Sequence, residues 1–152
     1  MIKTGTFKFL AAAFATLTFA QPSAAGDPNR YGLMAQSAWS AFQCSVLAEK
    51  AQHMSEQKRL FDFGYAQGRK FIAALQSGTT KPEDVADAAP FSMLILVQGP
   101  SADFALGRIF EAALRAALED VFASAEAYDS TEMQESIATR EFMKRNCRLI
   151  GR

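Results

Sequence analysis

Residues 101–121 read SADFALGRIFEAALRAALEDV, and this stretch decides the fold class. Gly99-Pro100 breaks the chain just ahead of it, and Ser101 suits a helix N-cap. Phe104, Gly107, Phe110, Ala113 or Leu114, Ala117 and Val121 then recur at three- and four-residue steps, the period of one buried helical face. The opposite side carries Arg108, Glu111, Arg115 and Glu119. There Glu111–Arg115 and Arg115–Glu119 are spaced to pair one turn apart. The spacing predicts one long helix over about residues 102–127. No segment shows the sustained alternation of β-branched residues that a strand requires, so the chain reads as all-α.

Working outward, the same period appears on both sides. Asp27-Pro28 is a helix start, and Tyr31, Ala35, Trp39, Phe42 and Val46 mark the buried face of a first helix. Cys44 lies on its flank with Ala41, Ala48 and Ala51, and the helix is expected to end near His53-Met54. Ser55 suits the cap of a second helix whose face is Leu60, Gly64, Gly68, Phe71, Ile72 and Leu75, flanked by Phe61 and Tyr65, with Gly78 to stop it. Thr80-Lys81-Pro82-Glu83-Asp84 starts a short helix, and Pro90 another through Val97. Asp129-Ser130-Thr131-Glu132 resembles a capping box for a last helix ending around Asn146. The expectation is a compact bundle of about five helices.

The N-terminus has a different character. Lys3 and Lys8 precede an uncharged run from Phe9 to Ala20, and Gln21-Pro22 lead into Ser23-Ala24-Ala25. A basic start, a short apolar segment and a small-residue exit are the parts of a cleavable signal peptide. Residues 1–25 are therefore expected to be removed after Ala25, leaving residues 26–152 as a single helical domain in the periplasm or secreted. The apolar run falls short of the roughly 20 residues a membrane span needs, and no later segment is a better candidate.

The full chain balances 16 Lys and Arg against 16 Asp and Glu. Loss of Lys3 and Lys8 leaves 14 cations against 16 anions, which argues against nucleic acid as a partner, since phosphate binding needs a concentrated basic surface. Two cysteines remain, Cys44 and Cys147. In an oxidising compartment they read as one disulfide joining the first helix to the C-terminal tail; two buried free thiols are the competing reading. With His53 the sole histidine and no C-x-x-C, metal ligation has no support.

Residues 64–75 (GYAQGRKFIAAL) and 103–114 (DFALGRIFEAAL) echo one another. The repeat-like match stands alone, so coincidence is one reading of it. Glycine inside a helix costs about 1 kcal/mol relative to alanine, so Gly64, Gly68 and Gly107 call for a reason, and close approach of helix backbones supplies one. If the two helices pair, Arg69 and Arg108 border one groove with Tyr65, Phe104 and Asp103, and a guanidinium-lined groove suits a carboxylate or phosphate. Structural charges explain the same residues equally well.

Catalytic signatures are missing. No serine stands in a G-x-S-x-G turn, Glu83-Asp84 and Glu119-Asp120 are adjacent pairs that point apart on a helix, and there is no phosphate-binding loop, dinucleotide fingerprint or H-E-x-x-H. His53 reads as a surface histidine at a helix C-terminus, and the dispersed Met34, Met54, Met93, Met133 and Met143 as core filler. Neither an enzyme nor a cofactor is expected. An exported helical domain with one bridge is similar in type to bacterial type VI immunity proteins and to periplasmic acid-stress chaperones, though no residue role carries over from either. The favoured expectation is a binding or inhibitor-like module whose partner is another protein. The alternatives are an anion binder using the arginine groove and an acid-stress chaperone.

Overall fold

The computed structural model describes residues 28–123 and 128–152. The proposed signal peptide and residues 124–127 lie outside the described residues. Among these, every regular element is helical: α1 (Pro28–Lys50), α2 (Met54–Gln76), α3 (Phe91–Leu96), α4 (Ala102–Leu118) and α5 (Thr131–Lys144), with 3-10 turns at Pro82–Val85 and Cys147–Leu149.

α1 is the hub. It packs against α2, α4, α5 and both 3-10 turns, and from Ala41 to Ala48 only Gln43 is not buried. A single apolar stripe does not describe it. Its small side chains Ala35, Ala38, Ala41 and Ala48 are all buried, and their low relief lets neighbours close in from several directions. The one buried hydroxyl in its middle, Ser45, donates to the Gln57 carbonyl at 3.0 Å, so it is paired as a buried polar group must be.

The core falls into two clusters. One gathers Ala35, Ala38, Phe42, Phe71, Ile72, Val85, Met93, Leu106 and Ile109 between α1, α2, α4 and the Pro82–Val85 turn. The other gathers Cys44, Val46, Leu47, Leu60, Ala117, Val121, Ala138, Phe142 and Cys147 around α5 and the tail. Phe110 packs against both and joins them.

Local signals explain the element ends. Gly78 follows α2 at φ +70°, a left-handed conformation that favours glycine, and donates to the Leu75 carbonyl at 3.1 Å. Ser101 accepts from the Phe104 amide at 3.1 Å and caps as expected, while Ser130 accepts from the Met133 amide at 3.2 Å and caps one place after Asp129, the first residue of the expected box. The capping box does not form at α5, where the Ser130 hydroxyl donates to Glu132. Several boundaries shift. α1 stops at Lys50, and α2 begins at Met54 with His53, not Ser55, in the N-cap position.

α4 corrects two expectations. It ends at Leu118, well before residue 127, and Glu119 and Asp120 lie in the turn that follows. Its buried face is Ala105, Leu106, Ile109, Ala113 and Ala117, while Phe104 is half exposed and Gly107 exposed. The helix is rotated from the aromatic stripe because the narrow slot beside α1 and α2 accepts alanines, and Phe104 lies instead against Gly99. Methionine also departs from expectation. Met93 is core, but Met54, Met133 and Met143 are among the exposed apolar side chains.

Cys44 and Cys147 form the expected disulfide, with Cα atoms 5.5 Å apart and a sequence separation of 103. It is one part of a larger attachment. Arg59 on α2 donates to the carbonyls of Ile150 at 2.6 Å and Cys147 at 3.4 Å. Glu56 accepts from Arg59 and from Arg152. Gly151, at φ +74°, lets the tail lie directly on the Phe63 ring.

Candidate functional site

The residues singled out from sequence divide into two groups on opposite flanks of α4. The α2 side is a compact polar cluster. The Tyr65 hydroxyl donates to Asp103 Oδ1 at 2.7 Å, and Arg69 donates to the same oxygen at 3.2 Å and to the Tyr65 oxygen at 3.3 Å. The Arg69 guanidinium lies 5.8 Å from the centre of the Tyr65 ring, within cation–π range. The Tyr65 hydrogen bond and the Asp103 carboxylate together hold the Arg69 pKa above its ordinary value, so Arg69 is a permanent cation already engaged within the protein.

Arg108 lies elsewhere. It donates to the Gln98 carbonyl at 2.9 Å and sits 5.9 Å from the centre of the Phe104 ring. At 3.6 residues per turn, successive side chains are about 100° apart. Position 103 faces α2, while 104 and 108 turn toward the α3–α4 connection. Arg69 and Arg108 therefore border no common groove, and the arginine-lined anion site expected from the echo does not form.

The echoed glycines are not equivalent either. A Cβ on Gly64 would stand 2.9 Å from a Phe42 ring carbon and 3.2 Å from the Ala38 carbonyl oxygen, and one on Gly68 would meet Leu106. These two are close-approach glycines, as expected. Gly107 is not, since a Cβ there would meet nothing within 4 Å. It borders instead a cleft of about 210 Å³ lined by Phe42, Phe61, Tyr65, Asp103, Leu106 and Phe110. Phe42, Phe61 and Phe110 contact one another at centroid distances of 5.4–5.9 Å, and Phe61 stacks on Tyr65 at 6.2 Å.

The far flank of α4 is an open basin of about 750 Å³ bounded by Leu96, Arg108, Glu111, Ala112, Arg115, Ala116 and Glu119. Its floor is alanine and its rim alternates in sign, with Arg115 and Glu111 paired at 3.2 Å. On α3 beside it, Phe91 is 74% and Ile95 51% exposed.

His53 is part-buried in the α1–α2 turn, its ring 5.8 Å from that of Phe142 in an edge-on contact; this corrects the expectation of a surface histidine. Among the described residues no group of three or more His, Cys, Asp or Glu side chains is placed to hold a metal ion, and no helix is long and apolar enough to cross a membrane. Comparison with protein-family models, curated proteins and solved structures finds no match. Residues and geometry alone carry the functional reading.

Proposed function

We propose that the chain is an exported binding module of inhibitor or immunity type that acts through a protein–protein surface, and that the surface is the α3–α4 flank. The observation that carries the reading is the side-by-side placement of an exposed apolar edge, Phe91 and Ile95, with an alanine-floored basin rimmed by Arg108, Glu111, Arg115 and Glu119. Phe91 and Ile95 are one turn apart on the same side of α3, and Leu96 carries that helix into the basin wall. Arg108 both lines the basin and stacks on the half-exposed Phe104. A large exposed apolar edge bordered by charge is the composition of an interaction patch. Ala112 and Ala116 leave a shallow channel along α4 in which an apolar helical ridge can lie. The partner is therefore a protein presenting an amphipathic helix, with charges of both signs flanking its apolar face. Export is supported by the N-terminal pattern and by the disulfide, which suits an oxidising compartment.

A photo-crosslinking amino acid placed at position 91 or 112 of the full chain, in the producing cell, tests this reading. The expected result is one discrete adduct heavier than the chain by a mass that is not its own multiple, absent when the probe stands at Lys58 on α2. No adduct, or an equal adduct at Lys58, overturns it.

A further inference from the structure

We infer that the cleft between α2 and α4 binds one small, neutral, planar aromatic molecule that carries an N–H or O–H donor. The inference stands apart from the docking surface, because this cleft opens on the other flank of α4.

Three observations converge. The first is Gly107. Glycine weakens a helix interior relative to alanine, and here no neighbour requires it, since a Cβ would project into open space. Gly107 is itself one of the residues lining the cleft, and the missing side chain leaves that wall bare. The second is size and lining. A dry cavity of about 150 Å³ accepts benzene, so about 210 Å³ suits a phenol or an indole and excludes three fused rings. The walls are the faces and edges of Phe42, Phe61, Tyr65 and Phe110, which favour offset or edge-on packing with a flat aromatic guest.

The third is the polar rim. Tyr65 and Arg69 both donate to Oδ1 of Asp103, leaving Oδ2 to accept from a ligand. An apolar pocket with one convergent polar group is the usual form of a small-molecule site. The Arg69–Asp103 pair brings the rim close to neutrality, so neither an anion nor a cation is favoured. A neutral N–H or O–H donor is what the remaining acceptor selects.

Indole and benzene titrated into the full chain with its disulfide intact, followed by amide chemical shifts, test the inference. Indole is expected to give saturable shifts confined to α2 and α4 around residues 61–69 and 103–110, with a dissociation constant below about 1 mM. Gly107→Leu, which fills the cleft, is expected to weaken indole at least tenfold. Asp103→Ala is expected to weaken indole several-fold and leave benzene unchanged. If Gly107→Leu alters the fold, Gly107→Ala serves in its place with a smaller loss expected. Non-saturable shifts, or binding indifferent to filling the cleft, overturn the site; equal affinity for benzene and indole overturns the role of the donor.

Discussion

Gly64 and Gly107 both lie inside the two echoing helices, yet replacing each by alanine is expected to move stability in opposite directions. Alanine improves helix propensity by about 1 kcal/mol at either position, so the difference lies in tertiary surroundings. At Gly64 the new methyl would stand 2.9 and 3.0 Å from two ring carbons of Phe42 and 3.2 Å from the Ala38 carbonyl oxygen. Phe42 is almost wholly buried and held between Phe61 and Phe110, and a backbone carbonyl cannot rotate aside. α1 and α2 must separate, at an overpacking cost of about 1–3 kcal/mol. The net expectation is a loss of up to about 2 kcal/mol. At Gly107 nothing lies within 4 Å of the added methyl, so the propensity gain survives and the variant is more stable by up to about 1 kcal/mol. Urea unfolding followed by circular dichroism measures both, with an unchanged slope showing that the surface exposed on unfolding is the same. A Gly107→Ala variant no more stable than Gly64→Ala refutes the assignment of one glycine to packing and the other to the cleft.

Three further outcomes are expected. A Cys44→Ala/Cys147→Ala double variant loses up to about 4.7 kcal/mol, the chain-entropy value for a loop of this length, and a loss under about 1 kcal/mol in urea unfolding contradicts that. Hydrogen bonding from Arg59 is the largest influence on Glu56 and lowers its pKa from the ordinary 4.5. Its contribution is therefore complete above about pH 4.5 and is lost as the pH falls through the lower folded-state value. Protection of the amides in residues 147–152, taken relative to the intrinsic exchange rate at each pH, should fall only below that pH, and Glu56→Gln should remove that fall. Mass spectrometry of the protein recovered outside the cytoplasm should show a chain beginning at Gly26 and carrying the Cys44–Cys147 linkage; a chain retaining Met1 excludes the cleavage.

Much of the fold was legible because it depends on local rules. Ser101 caps, Gly78 stops α2, and Leu60, Gly64, Gly68, Phe71 and Ile72 line the buried face their spacing implied. The all-helical class and the disulfide follow from similar cues. Rotation of a helix about its own axis is a different matter. On α4 the large aromatics suggested the inward face, but the slot it fills is shaped by α1, whose own alanines set how deep a neighbour can sink. Phe104 was displaced by that geometry, and Arg108 with it, which separated it from Arg69. The Arg59 and Glu56 contacts with the tail were invisible for another reason. They join α2 to backbone carbonyls some 90 residues away, and a carbonyl leaves no mark in a sequence. The cleft was legible only as an unexplained glycine.

The central position of α1 has a consequence for how the molecule is made. The helix that every other described element except α3 leans on is the earliest of them to be synthesised, and its last partners, Phe142 and Cys147, come about a hundred residues later. Until then the part of its apolar surface that α5 and the tail cover stays open, the condition under which incomplete chains aggregate. Cys44 waits through the same interval as an open thiol on that uncovered surface. Assembly can close only when the C-terminal residues arrive, and a chain truncated before residue 147 would lack both the partner sulfur and the carbonyls that Arg59 grips.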